Sequence, residues 1–299
     1  MSINAEGKPV VVGVDGSPTM FLAVAWAVDY AGSTSAPLRI VVVYQRDALE
    51  DELLAAGAPT DSSHPRALHV AQQHADAAAA HARSLNPKLH VESACLPGTP
   101  TTILLEEGQR SALIVLGSPR LGRLHRAFTG STGAEVSARA ACPVVVGRKQ
   151  VSRSLTGTRV IVGIGGPASQ TAAQFAFQEA RRTHAGLTAV TAWHLNTADL
   201  ASLVSPADER QRLEAEAKVM LAEILGPLTV AYPEVDVRHY VGEGSPAELL
   251  EKLSANARLL VVGSRGLRPL SALLLGSVSR ETIKRAHCPV AVVHPRTRS

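Results

Sequence analysis

Aromatic residues are scarce in this chain, at 3% of 299 positions, while apolar residues reach 45%. A core with so few rings must be closed by aliphatic side chains, which suits close-packed β/α layers better than an aromatic-rich sandwich. Cysteine is also rare. Cys95, Cys142 and Cys288 are an odd number without metal or redox spacing, so reduced thiols in a cytosolic protein are expected rather than a disulfide framework. No apolar run reaches membrane-spanning length and the stretch from Met1 to Lys8 is polar, so neither anchor nor signal peptide is expected. Basic charge is not concentrated. The net charge of +4 is scattered over Arg123, Arg126, Arg148, Arg153, Arg285 and Arg298, whereas a nucleic-acid protein gathers such residues on one face and interleaves aromatics. A recognisable catalytic set is missing too, with no Ser/His/Asp arrangement and no activated cysteine. His69, His74 and His81 do not converge on one ion from a helix, and the adjacent Glu106 and Glu107 point apart.

What is present is a repeat. Val115-Leu116-Gly117-Ser118-Pro119-Arg120 is followed, after nine residues, by Gly130-Ser131-Thr132. Val262-Gly263-Ser264-Arg265-Gly266 is followed at the same interval by Gly276-Ser277-Val278-Ser279. Both copies close on Cys-Pro-Val, at Cys142 and at Cys288, and the landmarks are offset by 146 residues throughout. A chain of this length fits two domains, residues 1–149 and 150–299, with the polar stretch from Arg148 to Gly157 as linker. A domain of that size buries roughly 70% of its extended-chain surface, enough for its own core.

Short β-branched runs alternate with helical patterns in each half. The first half reads strand Val10–Val14, helix Thr19–Gly32, strand Leu38–Tyr44, a loop from Gln45 to Pro65, and a long Ala-rich helix Arg66–Leu85. Strand His90–Leu96, helix Thr101–Arg110, strand Ala112–Leu116, helix Thr132–Ala141 and strand Val144–Val146 follow. The second half places strands at Val160–Ile164, Leu187–Trp193, Val235–Val241, Leu259–Val262 and Val290–Val293. Its helices are Ser169–His184, Asp208–Leu225, Pro246–Ala255 and Val278–Ala286. This alternation predicts βαβ units and a parallel sheet. Right-handed crossovers then give two flavodoxin-like α/β domains, each a five-stranded parallel sheet of order 3-2-1-4-5 with helices on both faces. The last strands, Val144–Val146 and Val290–Val293, would be apolar sheet edges, which invite pairing with each other or with a second chain.

Ligands bind outside the carboxyl ends of the strands where the chain order reverses. Asp15 follows the first strand and Gly117 ends the fourth, so the two converge although they are about a hundred residues apart in sequence. Gly13 and Gly117 allow close approach of backbone and ligand. Gly130, Ser131 and Thr132 present amides and hydroxyls at a helix start, where about half a positive charge favours an anion. Thr132 with Glu135 fits a capping box. Asp15 can accept hydrogen bonds from ribose hydroxyls, or simply cap the local turn. The set describes a mononucleotide site.

These residues resemble the universal stress protein family in its tandem two-domain form, a branch of the adenine nucleotide α-hydrolase-like folds. The spacing G-x2-G-x9-G-[ST] is intact as Gly263, Gly266, Gly276 and Ser277, and Val12-Gly13-Val14-Asp15-Gly16-Ser17 adds to it. The resemblance implies ATP, with Mg2+, as ligand. The loop residues Gly117, Arg120, Gly130, Ser131 and Thr132, or Gly263, Ser264, Arg265, Gly266, Gly276, Ser277, Val278 and Ser279, would hold the phosphates. Asp15 would hold the nucleoside, and Val43 and its counterpart Ala192 would touch adenine. Each half departs from that pattern. Arg120 replaces a glycine, at about 1–2 kcal/mol if the position needs a positive φ, though its guanidinium could reach a phosphate. Gly163 and Gly165 stand where Gly13 and Asp15 stand, so the second half lacks the aspartate, a loss of about 1.5–3 kcal/mol. The expected function is a cytoplasmic ATP-binding stress or regulatory protein with at most a slow ATPase. It would be a homodimer with a regulatory protein partner and without nucleic-acid or membrane contacts. A nucleotide-free interaction module with relic motifs is the alternative. An enzyme of the wider α-hydrolase-like group would need a catalytic Lys or Cys near the loop, and none is present.

Overall fold

The run Val10–Val14 (β1) is buried at every position. A strand apolar on both sides has to lie inside a sheet covered on both faces, as parallel sheets are. The computed structural model describes residues 7–45, 65–117, 131–147, 157–195, 205–264 and 275–295. The chain divides into two compact units, Met1–Lys149 and Gln150–Ser299. After β1 the first unit continues with α1 (Met20–Thr34), β2 (Leu38–Tyr44), α2 (Pro65–Leu85), β3 (Val91–Pro97), α3 (Pro100–Gln109), β4 (Leu113–Leu116), α4 (Ser131–Arg139) and β5 (Val144–Val146). The second contains β6 (Arg159–Gly163), a short 3-10 turn (Pro167–Ser169), α5 (Gln170–Arg182), β7 (Gly186–Trp193), α6 (Pro206–Ala231), β8 (Val237–Glu243), α7 (Pro246–Ser254), β9 (Leu259–Gly263), α8 (Ser277–Arg285) and β10 (Val290–Val293). Strand order is β3-β2-β1-β4-β5 in the first unit and β8-β7-β6-β9-β10 in the second. Every pairing within a unit is parallel. The 3-2-1-4-5 expectation therefore holds twice. The predicted loop from Gln45 to Pro65 and the linker lie almost wholly outside the described residues.

The two units repeat each other in backbone detail. Gly98 and Gly244 both take positive φ, 138° and 119°. Each donates its amide to the carbonyl of the last aromatic residue of the second strand, Gly98 to Tyr44 at 3.0 Å and Gly244 to Trp193 at 2.8 Å. A proline then opens the next helix, where its missing N–H costs nothing. Ser35 and His184, at φ 55° and 51°, turn the chain out of the first helix of each unit in the left-handed conformation.

Of the boundaries that differ from the sequence reading, two have a clear physical reason. Helix α6 was expected to stop at Leu225, before Gly226-Pro227, yet it runs to Ala231 with Pro227 inside it. Proline removes one helical hydrogen bond, but Glu223, whose carbonyl is left over, is exposed, so water can satisfy it. Burial of Leu221, Ile224 and Leu225 holds the preceding turns. Beyond the helix end, Tyr232 packs on Phe177 at 5.6 Å and lies under the Arg181 guanidinium. Strand β8 begins at Val237 instead of Val235, because the Val235 amide closes a turn onto the Tyr232 carbonyl at 3.1 Å.

Gly13 is a packing requirement as much as a turn residue. A Cβ there would stand 2.9 Å from Leu116 Cδ2 and 3.2 Å from Leu104 Cδ2, both side chains fully or almost fully buried. Far from the strand carboxyl ends, Arg159 ties the amino ends of three strands together. Its guanidinium donates to Thr188 Oγ1 at 2.8 Å, to the Leu187 carbonyl, and to Asp236 Oδ2 at 2.6 Å. In the first unit Arg39 grips Glu107 with two bonds of 2.8 and 3.0 Å. Glu107 is thereby committed to Arg39 at the amino ends of the strands.

Two measurements check this account. Gly13→Val should destabilise the chain by about 1–3 kcal/mol through overpacking, read as a lower urea midpoint. Hydrogen bonding from Arg159 lowers the Asp236 pKa below its ordinary value of 3.8. A depressed carboxylate contributes stability above its unfolded pKa and loses it as pH falls through the folded value. The wild type should therefore melt above Asp236→Asn at pH 6, and the gap should close below the ordinary value of 3.8. A gap that persists into stronger acid would exclude this linkage.

Candidate functional site

At the carboxyl end of β1 the chain turns through Asp15, Gly16 and Ser17. Asp15 Oδ1 accepts the Ser17 amide at 3.0 Å, an Asx turn that the residue type favours. Helix α1 begins only at Met20, so Asp15 shapes the loop and is not the helix cap. Gly16 has φ 73°, and a Cβ there would fall within 2.1 Å of the His74 ring. His74 of α2 thus roofs this turn. His81 meets Phe21 edge-on at 5.0 Å and His69 bonds Gln73, so the three histidines have separate partners. Among the described residues no group of three or more metal-ligating side chains forms. Gly117 lies against Thr19, whose Oγ1 would be 3.6 Å from an added Cβ, and Thr19 shares a 2.9 Å hydrogen bond with Ser17. The ends of β1 and β4 are therefore brought together as expected. Val43 sits half-buried one residue before the end of β2. Helix α4 starts at Ser131, so Thr132 is inside it rather than capping it, and Glu135 engages Arg139 at 2.6 Å. Arg120 and Gly130 are outside the described residues.

In the second unit the strand ends open into a cleft of about 340 Å³, within the size range of small-molecule sites. Gly163, Gly165, Ala192, Gly263, Gly276, Ser277, Val278 and Ser279 all line it. Residues that the motif did not reveal complete the walls. Ala217 and Met220 come from α6, Leu250 from α7, and Ser169, Thr191 and His194 add polar atoms. Ser169 was detectable in principle, since it stands where Thr19 stands in the other copy. Ala217 and Met220 carry no such signal, because a helix face reads the same whether it covers core or cleft.

The hydrogen bonds redistribute the expected phosphate donors. The Gly276 amide is already given to the Ser264 carbonyl at 2.9 Å, and Ser279 Oγ donates to the Gly263 carbonyl at 2.6 Å. These two bonds fold the start of α8 back onto the end of β9. The first helical bond is from Arg280 to Gly276. The amides of Ser277, Val278 and Ser279 precede it, in the turn where helix N–H groups lack helical partners. Ser264 is buried, and its hydroxyl has no hydrogen-bond partner among the described residues. Arg265 and Gly266 are outside the described residues. Burial pushes the Cys142 thiol up to about 12, and Cys288 is buried as well.

Two flavodoxin-like units, each a parallel sheet of order 3-2-1-4-5, define a tandem α/β protein. Residues 7–148 and 157–294 each match the Universal stress protein family, and the chain belongs to that family. A universal stress protein of Mycobacterium tuberculosis is 34% identical over 98% of this chain and 99% of its own length. One of Mycolicibacterium smegmatis is 31% identical over 98% of this chain and 99% of its own. The crystal structure of a universal stress protein from Archaeoglobus fulgidus superposes with a TM-score of 0.68 at 17% identity, covering 98% of both chains. That likeness is one of fold.

The Asx turn separates two roles of Asp15. Asp15→Asn keeps the acceptor for the Ser17 amide and should leave the melting temperature unchanged. Asp15→Ala removes it and should cost about 0.5–1.5 kcal/mol. If both variants lower nucleotide affinity alike, the carboxylate charge acts on the ligand. If only Asp15→Ala does, Asp15 acts through the loop.

Proposed function

We propose that this chain is a cytoplasmic regulatory protein that binds ATP, with Mg2+, at one mononucleotide site in each unit and hydrolyses it slowly or not at all. The second-unit cleft carries the reading. It joins an apolar slot between Val190, Ala217, Met220 and Leu250 to a rim of backbone amides at the start of α8. A purine ring would lie in the slot, and the phosphates would meet the amides of Ser277, Val278 and Ser279, where the helix dipole favours an anion. The volume and the donors fit such a ligand. In the first unit Asp15 would hold the sugar, Val43 would face the base, and Gly117, Arg120, Gly130, Ser131 and Thr132 would meet the phosphates. Gly263, Ser264, Arg265 and Gly266 would close the loop over the second site. The described lining holds no lysine or carboxylate, and His194 is its one titratable side chain. The protein would act as a homodimer with a regulatory partner; its mass by light scattering reads the first of these.

The direct test is calorimetric titration of the full chain with ATP and adenosine, alongside mass identification of any nucleotide that co-purifies. ATP should bind much more tightly than adenosine. Gly276→Val should remove the second-unit binding by filling the space beside the phosphates while the first unit still binds. Equal binding of ATP and adenosine would eliminate the phosphate contacts, and no binding of either would favour a nucleotide-free interaction module.

A further inference from the structure

The two loops after the first strands differ in what they present to a sugar. In the first unit the loop is closed by a carboxylate that accepts a backbone amide, Ser17 N–H to Asp15 Oδ1. In the second the same loop is closed the other way round: the Gly165 amide donates to Ser169 Oγ at 3.0 Å. Ser169 is buried, sits in the turn before α5, and lines the cleft. Its oxygen is held by an amide, so its own proton is left to give to an acceptor in the cleft. Gly165 has no atom within 4 Å of the place a Cβ would occupy, so the volume that corresponds to the Asp15 side chain is open. The described lining contains no carboxylate at all, and His194 stands at the end of β7 on the same cleft.

We infer that the second site accepts nucleotides whose ribose carries an additional phosphate on its 2′ or 3′ oxygen, a class that the first site rejects. This rests on the nucleotide reading above and specifies its sugar side. A ribose hydroxyl is a donor and matches the Asp15 carboxylate. A sugar phosphate is an anion, so it is repelled by Asp15 but matched by the Ser169 hydroxyl in the open space beside Gly165. Like charges at contact distance disfavour each other strongly, whereas a hydrogen bond to a charged acceptor is worth about ten- to hundredfold in affinity. Ser169 is on this account a specificity residue, and Gly165 is the gap that makes room for the ligand.

The test uses the full chain and Gly165→Asp, which rebuilds the carboxylate where no atom obstructs it. AMP and adenosine 3′,5′-bisphosphate differ only by the sugar phosphate, and each is measured as a competitor of bound ATP. The first unit is common to both proteins, so the difference between them reads the second unit. The wild type should take the bisphosphate at least as well as AMP. Gly165→Asp should reverse that order by about tenfold or more with an unchanged melting temperature. Ser169→Ala should weaken the bisphosphate more than AMP. A wild type that prefers AMP by tenfold, or a ratio unmoved by Gly165→Asp, overturns the inference while leaving the nucleotide site standing. Failure of ATP itself to bind overturns both.

Discussion

Pairing of the first strand with the fourth in each unit is the contact on which the rest depends. Val12 lies beside Val115 and Gly13 beside Leu116, as Val162 lies beside Val261. In the first unit these strands are solvent-free on both faces, with Val10, Val11, Val12, Leu113, Ile114 and Val115 all at 0% exposure. A polar group inside them would lose water without a partner, at a cost of several kcal/mol. At the carboxyl ends polar chemistry is therefore delayed until the chain leaves the strand, with Asp15 and Ser17 at that rim of the first unit and Ser169 and Ser264 at that of the second. The site is a consequence of where the sheet stops being buried.

The same pairing explains the glycines inside the strands. Leu104 and Leu116 fill the space over Gly13, and Leu250 and Val262 do so over Gly163, where an added Cβ would meet Leu250 at 3.1 Å. In the second unit the smallness also serves the cleft, since Gly163 and Leu250 both line it. One residue type satisfies core packing and cleft volume together. Arg159 and Arg39 clamp the opposite ends of the strands, away from the carboxyl ends.

Duplication has kept the backbone and changed the chemistry. Both units need the loop after the first strand closed by a side chain. One uses a carboxylate reaching forward to an amide, the other a hydroxyl accepting an amide from behind. In sequence this reads as the loss of an aspartate at Gly165. In space it is an exchange of an anionic acceptor for a neutral hydroxyl, with open volume added.

The amino-acid sequence by itself determined the duplication, the five strands and their order in each unit, and the glycine-rich loops at the strand ends. These are local signals: a β-branched run and a glycine at a tight turn act through neighbours in the chain. The same signals recur in the second half, offset by 146 residues from Gly98 onward. Only the tertiary structure decided that α6 continues through Pro227, because the reason is burial of Leu221 and Leu225 and the ring of Tyr232 beyond. It also decided that Gly276 and Ser279 spend their donors on Ser264 and Gly263 rather than facing outward, and that Met220 walls a cleft. Contacts of that kind join residues far apart in the chain, and no periodicity records which distant atom a donor will find.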